Sequence, residues 1–328
     1  MMDERAHTLP LFALGLVIVA GLAVWSTFVG VSDISLTSLW GGGWTDGDLE
    51  ILLESRVPRT FALILAGAAM AASGTILQML VRNRFAEPST VGTAEAAKLG
   101  LLAMLILVPD ASISLRLAAA TLFALMITAL FIRVLRHIPL QSALIVPLVG
   151  ILLGGVINSI ASFLAYRLDL MQSLAVWSNG DFSMILRGRY ELLWLALGVT
   201  ILAYVFADRF TVAGLGEDFT TNLGLHYRSV LTLGLAIASI TTSVVIVTVG
   251  MIPFLGLVVP NLVSLMAGDN VRRSLPWVAL LGAGLVLGCD IAGRILNAPY
   301  EIPVGTMLGI IASALFLYLL LRKHARLS

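Results

Sequence analysis

SVLTLGLAIASITTSVVIVTVGMIPFLGLVVPNLVSLMAG, residues 229–268, runs for 40 residues without one charged side chain. A helix that crosses a bilayer needs about 20 mainly apolar residues, so this run is long enough for two. Its middle reads Gly250-Met251-Ile252-Pro253-Phe254-Leu255-Gly256, with two glycines and a proline. Proline has no N–H to donate and breaks a helix interior. The run is therefore expected to split into a full helix over 228–249 and a short one over 255–267. The rest of the chain has the same character. Of 328 residues, 59% are hydrophobic and 12% charged, against about 25% charged in soluble domains. A soluble fold must still cover itself with polar surface, and this composition cannot supply it.

Charge-free stretches place ten spans, at 9–31, 57–81, 90–108, 115–135, 141–165, 190–207, 228–249, 255–267, 275–295 and 303–321. The fold class is all-α, a polytopic membrane protein forming one transmembrane domain over 1–328. The stretch Leu9–Val31 exceeds the 7–15 residues of a signal-peptide core and no A-x-A site closes it, so it reads as the first span. The third span carries Glu95 and Lys98 near its start. Ten spans put both termini on one side. If that side is the cytoplasm, it holds Arg5, Arg82, Arg84, Arg133, Arg136, Arg209, Arg228, Arg272, Arg273, Arg322, Lys323 and Arg326, which is 12 basic residues. The other side holds seven: Arg56, Arg59, Arg116, Arg167, Arg187, Arg189 and Arg294. That bias favours cytoplasmic termini. Two external segments are long, the acidic Ser32–Arg56 with Trp40 and Trp44, and Tyr166–Tyr190. Asp208–Arg228 is the long internal one.

The chemical inventory excludes much. The net charge of +1 offers no basic face for nucleic acid. Cys289 stands alone in an apolar run, so there is no disulfide framework. His7, His137, His226 and His324 are not at metal-ligand spacing, and no metal or cofactor is expected. Ala72-Ser73-Gly74 has no histidine at similar depth, so helix packing explains it better than a nucleophile does, and no catalytic residue is assigned. The two lysines, Lys98 and Lys323, precede Leu99 and His324, so no phosphate-binding G-x-x-x-x-G-K-[ST] exists. ATP-driven transport would need a separate motor subunit. Gly150 with Gly154 and Gly284 with Gly288, at i and i+4, are expected to let helices approach closely. Charges inside spans are costly and are functional candidates. Glu95 and Lys98, at i and i+3, can neutralise each other. Asp290 and Arg294, at i and i+4, form a second pair near the outer end of the ninth span. Each also reads as a self-satisfied structural pair near an interface.

The motifs then add up in a fixed order. Arg56-Val57-Pro58-Arg59 opens the second span, followed by Gly67-Ala68-Ala69-Met70-Ala71-Ala72-Ser73-Gly74, Gln78, Asn83-Arg84-Phe85-Ala86-Glu87-Pro88 and Gly92. Gly256-Leu257-Val258-Val259-Pro260, Gly268-Asp269, Asp290, Arg294 and Glu301-Ile302-Pro303-Val304-Gly305 come later. This series resembles the FecCD-type permeases, the membrane subunits of ABC importers for ferric siderophores, haem and cobalamin. The resemblance runs from about Arg56 to Leu321. The chain departs from the family's N-P-L-A-x-P at 83–88 and from its P-H-x-x-R at Pro260-Asn261-Leu262-Val263-Ser264. Ala96-Ala97-Lys98-Leu99-Gly100, and Trp177 followed by Gly180-Asp181-Phe182-Ser183-Met184, resemble the branch serving catecholate or mixed-ligand siderophores.

The resemblance implies a type II ABC importer permease fold and no catalysis by this chain. It implies that a binding protein delivers the iron chelate to the outer face, where its acidic residues meet Arg56, Arg59 and Arg294. Arginine suits that task, being a planar, always-charged fork for carboxylates. It implies that 209–228 is a coupling segment docked on an ATPase subunit, with Glu217, Asp218, Leu223 and Gly224 as its marks. It places the fifth and tenth spans on a pathway between two permease subunits, with Asn158, Ser159, Ser162 and Phe163 as candidates. The second subunit would be this chain again or, as expected for this branch, a related one. Haem or cobalamin as cargo, and an ion-coupled transporter using Glu95, Lys98, Asp290 and Arg294, are the alternatives.

Overall fold

The computed structural model describes residues 2–30, 46–138 and 145–324. Asp33, Trp40, Trp44, residues 141–144 at the start of the fifth expected span, and Arg326 lie outside them. The described residues form α1 (Met2–Phe28), α2 (Asp46–Ile51), α3 (Val57–Val81), α4 (Thr93–Leu107), α5 (Ile113–Leu135), α6 (Ile145–Arg167) and α7 (Met171–Ser178). They continue with α8 (Leu193–Val205), α9 (Ala207–Ala213), α10 (Glu217–Asn222), α11 (Tyr227–Val249), α12 (Leu255–Ala267), α13 (Val271–Leu296) and α14 (Val304–His324). Each of the ten expected spans contains a helix. Among the described residues six helices are long and apolar enough to cross a membrane, and α8 with α9, bent by 64°, makes a seventh.

α3 runs through the middle of the bundle and is buried along nearly its whole length. Its sequence explains why. Ala66-Gly67-Ala68-Ala69-Met70-Ala71-Ala72-Ser73-Gly74 carries little side-chain bulk, so neighbouring backbones can approach closely. Gly67 faces Gly282 of α13, where an added Cβ would sit 2.7 Å from the Gly282 carbonyl oxygen. Gly74 faces Gly256 of α12, where the corresponding distance is 2.1 Å. Gly150 packs on Thr90 and Gly154 on Gly92, as their spacing predicts. Gly284 meets Val19 of α1, whereas Gly288 has nothing within 4 Å among the described residues and is no packing site there.

The 40-residue run breaks where its glycines and proline predict. Gly250 adopts φ +85°, which an L side chain rarely tolerates. The backbone groups left over are satisfied from elsewhere: Asp181 N donates to Val249 O at 2.8 Å and Met251 N to Trp177 O at 3.0 Å. Gly305 N in turn donates to Gly180 O at 2.9 Å. Three separate motifs of the sequence thus meet at one junction.

The segment before the second span differs from expectation. Residues 46–56 are helical and join α3 through a single π turn, Leu52–Arg56. Pro58 explains the turn. It cannot donate to the carbonyl four residues back, that of Glu54. A π turn shifts the hydrogen-bond register there, and Arg187 N takes the Glu54 carbonyl at 2.9 Å. Hydropathy marks where hydrocarbon ends, and the helix continues past that point.

Candidate functional site

One end of the bundle gathers the charged motifs. The first turn of α3 supplies Arg59, the π turn Arg56, the last turns of α13 Asp290 and Arg294, and the α13–α14 connection Glu301. Arg59 grips Asp290 Oδ1 with Nε at 3.1 Å and Nη2 at 2.7 Å. Its third donor, Nη1, reaches Glu301 at 2.8 Å. Arg294 Nη2 forms an ion pair with the other Asp290 oxygen at 2.5 Å, and donates its hydrogen bond to Ser26 Oγ at 2.6 Å. Two guanidinium groups and two carboxylates therefore balance. The Asp290 side chain is fully buried, Arg59 is 12% exposed and Glu301 30%.

Other arginine donors hold the end of α1. Arg294 Nη1 donates to Ser26 O at 3.0 Å and Val29 O at 2.7 Å. Arg56 Nη1 donates to Thr27 O at 3.1 Å. The last carbonyls of a helix lack intrahelical partners and carry partial negative charge, which cations there satisfy. Of the three arginines expected to meet a partner, Arg56 and Arg294 are buried in this structure, and the Nη1 side of Arg59 faces nearest to solvent. The Asp290–Arg294 pair is present. Its third member, Arg59, was not legible locally, being 231 residues away from Asp290.

The opposite end is built differently. After the bend at Phe206, α9 and α10 form a short helix pair. Thr220 Oγ1 pins α10 by donating to Val212 O at 3.2 Å and Gly216 O at 2.6 Å. Glu217 and Asp218 stand exposed in its first turn, and Gly224 closes it at φ +79°. Leu215 just before α10, and Phe219 and Leu223 at i and i+4, make a run of exposed apolar side chains; Phe219 is 63% exposed. Only Leu223 of the three was anticipated. Beside this run lies a cavity of about 530 Å³ lined by Gln78, Arg82, Asn83, Leu215, Asp269 and Asn270, among others. The pairs Arg84–Asp269 at 2.9 Å and Arg272–Asp208 at 2.5 Å tie the adjoining turns.

On α6, Asn158, Ser159 and Phe163 are exposed and Ser162 is half-buried. They share an open face with Leu148, Leu152 and Val156. Ser159 Oγ is satisfied by Gly155 O at 2.8 Å.

The model of the FecCD transport family matches residues 16–322. The chain belongs to the FecCD transport family. It is 48% identical to the petrobactin import system permease protein YclN of Bacillus subtilis, over 93% of this chain and 96% of that one. It is 42% identical to the ferric-anguibactin transport system permease protein FatD of Vibrio anguillarum, over 83% and 86%. A solved structure described as an inward-facing metal-chelate-type ABC transporter superposes with TM-score 0.78 at 22% identity, covering 95% of this chain and 99% of that one. As a FecCD chain, this protein is a multi-pass membrane component of a transport system and not an enzyme. Permeases of this family work with ATPase and binding-protein subunits.

Two buried features of this FecCD chain depart from local reading. The charges of Glu95 and Lys98 act on each other, but no direct salt bridge closes between them. Lys98 Nζ instead donates to Ser178 Oγ of α7 at 3.3 Å, while Glu95 lies against Gly154 of α6. The i, i+3 spacing places both on one face, but the long lysine stem reaches across to the neighbouring helix. Glu87 was not singled out, and it is buried. Its Oε1 accepts from Phe254 N at 3.1 Å and also from the Ser89 hydroxyl. It thereby supplies, from the 82–92 connection, the acceptor that the first turn of α12 lacks on its own. The only sequence signal for this was its position within the Asn83–Pro88 motif.

Proposed function

We propose that this chain is the permease that passes a ferric siderophore through the cytoplasmic membrane, with both termini in the cytoplasm. The 48% identity to a petrobactin permease along nearly the whole chain carries the cargo class. The excess of 12 basic residues over seven carries the orientation. A binding protein docks on the end bearing Arg59, with Arg56 and Arg294 acting from beneath it. The segment 209–228, within a single transmembrane domain, docks on the ATPase through Glu217, Asp218, Leu223 and Gly224. The open face of α6, with Asn158, Ser159, Ser162 and Phe163, borders a pathway shared with a second, related permease. ATP binding on the partner subunits drives transport by favouring one state of the permease pair over the other.

Uptake of labelled iron from a panel of ferric siderophores, in iron-limited cells with and without this chain, tests the cargo. Loss for catecholate or mixed-ligand chelates is expected. Unchanged siderophore uptake with a fall in haem or cobalamin uptake would reject it.

The exposed Phe219 and Leu223, with Leu215 beside them, support the coupling role, since buried aromatic anchors dominate interface energies. Phe219→Asp is expected to weaken association with the ATPase by about 2 kcal/mol, roughly thirtyfold in Kd. Co-purification at wild-type stoichiometry in dilute detergent solution would count against it.

A further inference from the structure

We propose that Glu301 is an internal occupant of the docking site, holding the outward donor of Arg59 until an acidic side chain of the binding protein displaces it. This rests on the reading that a binding protein docks at this end of the bundle. Arg59 divides its donors by depth. Nε and Nη2 are committed to Asp290, whose side chain is fully buried. Nη1 alone goes to Glu301, at 2.8 Å, and Glu301 is the most exposed member of the network at 30%. A carboxylate arriving from outside can therefore replace Glu301 without unseating Arg59 or uncovering Asp290. The guanidinium fork stays oriented throughout, which lowers the ordering cost of the new contact.

Charge gives the exchange its direction. Arg59, Arg294, Asp290 and Glu301 sum to zero, so moving Glu301 away leaves one positive charge in a largely buried setting. Only another anion restores the balance, which selects an acidic partner over a neutral one. The backbone of the Glu301 connection stays tethered without its side chain, since Ile302 N donates to Gly293 O at 3.2 Å and Gly305 N to Gly180 O. Docking then trades one ion pair for another instead of adding one. That keeps the complex weak and its salt dependence shallow, as suits a delivery protein that must leave after each cycle.

The test uses the full importer in lipid nanodiscs and the binding protein of the same import system, with Kd measured across ionic strength. Glu301→Gln should tighten binding about five- to tenfold and steepen the salt dependence, because Arg59 now gains a pair instead of exchanging one. Glu301→Asp keeps the charge but falls a methylene short of Arg59, and should tighten binding less. Arg59→Gln should weaken binding and erase the gain from Glu301→Gln in the double variant. Binding of Glu301→Gln equal to or weaker than wild type, with Arg59→Gln still weakened, overturns the displacement and leaves docking at this end intact. Binding that Arg59→Gln does not alter overturns both.

Discussion

Gly74→Ala is expected to be among the most damaging single-methyl changes in this protein. The added Cβ would lie 2.1 Å from the Gly256 carbonyl oxygen and 2.3 Å from the Gly256 Cα. Both are backbone atoms, so no side chain can swing aside. α3 and α12 must separate, and α3 is the helix on which most of the bundle packs. Moving them apart also disturbs the hydrogen bond from Gln78 Nε2 to Gly256 O, 3.2 Å long and one turn further along. Overpacking by a methylene costs about 1–3 kcal/mol where neighbours can adjust. Here they cannot, and more than about 3 kcal/mol is expected, enough to remove most folded protein from the membrane. Gly288→Ala is the matched control, because nothing among the described residues lies within 4 Å of that position. Thermal stability in detergent should fall sharply for the first variant and stay within about 0.5 kcal/mol of wild type for the second. Equal stability of the two would mean that α3 and α12 do not approach as closely as described.

These two glycines also show what the sequence reveals and what it hides. Small residues at i and i+4 flagged close packing at Gly150 and Gly154, and the structure agrees. The same pattern at Gly284 and Gly288 was half right, because spacing says nothing about whether a partner lies opposite. Two more backbone approaches, Gly67 with Gly282 and Gly74 with Gly256, pair residues far apart in the chain. They were visible only as members of motifs. Spans were legible because hydrocarbon thickness imposes a length and a composition on each one. The helical stretch 46–56 was not, because it lies beyond that constraint. Lys98 looked like a partner for Glu95 because local spacing was the only geometry to hand. Its choice of Ser178 depends on where α7 packs. Pairing across helices is a tertiary fact, and so the Arg59–Asp290–Glu301 network could be assembled only once the helices were in place.

That network bears on a question its position alone leaves open, whether the charges at this end serve folding or docking. Asp290→Ala separates the two roles. Removing the carboxylate leaves Arg59 and Arg294 buried with only Glu301 between them, and breaking a buried pair in this way costs about 3–5 kcal/mol. The loss should appear in purified protein with no partner present, as a lower unfolding temperature in detergent. Asp290→Asn should cost less, since an acceptor oxygen remains. The double variant Asp290→Asn with Arg294→Gln should recover much of the loss, because Arg59 and Glu301 are then left as one balanced pair. A charge network that existed only to receive a binding protein would behave oppositely, with Asp290→Ala stable in isolation and deficient only in docking. The geometry favours the first outcome. The Asp290 side chain has no exposed surface, and Arg294 Nη1 and Nη2 also hold Ser26 and Val29 at the end of α1. Asp290 is thus the fixed post of this end, and Glu301, at its rim, is the part that can move.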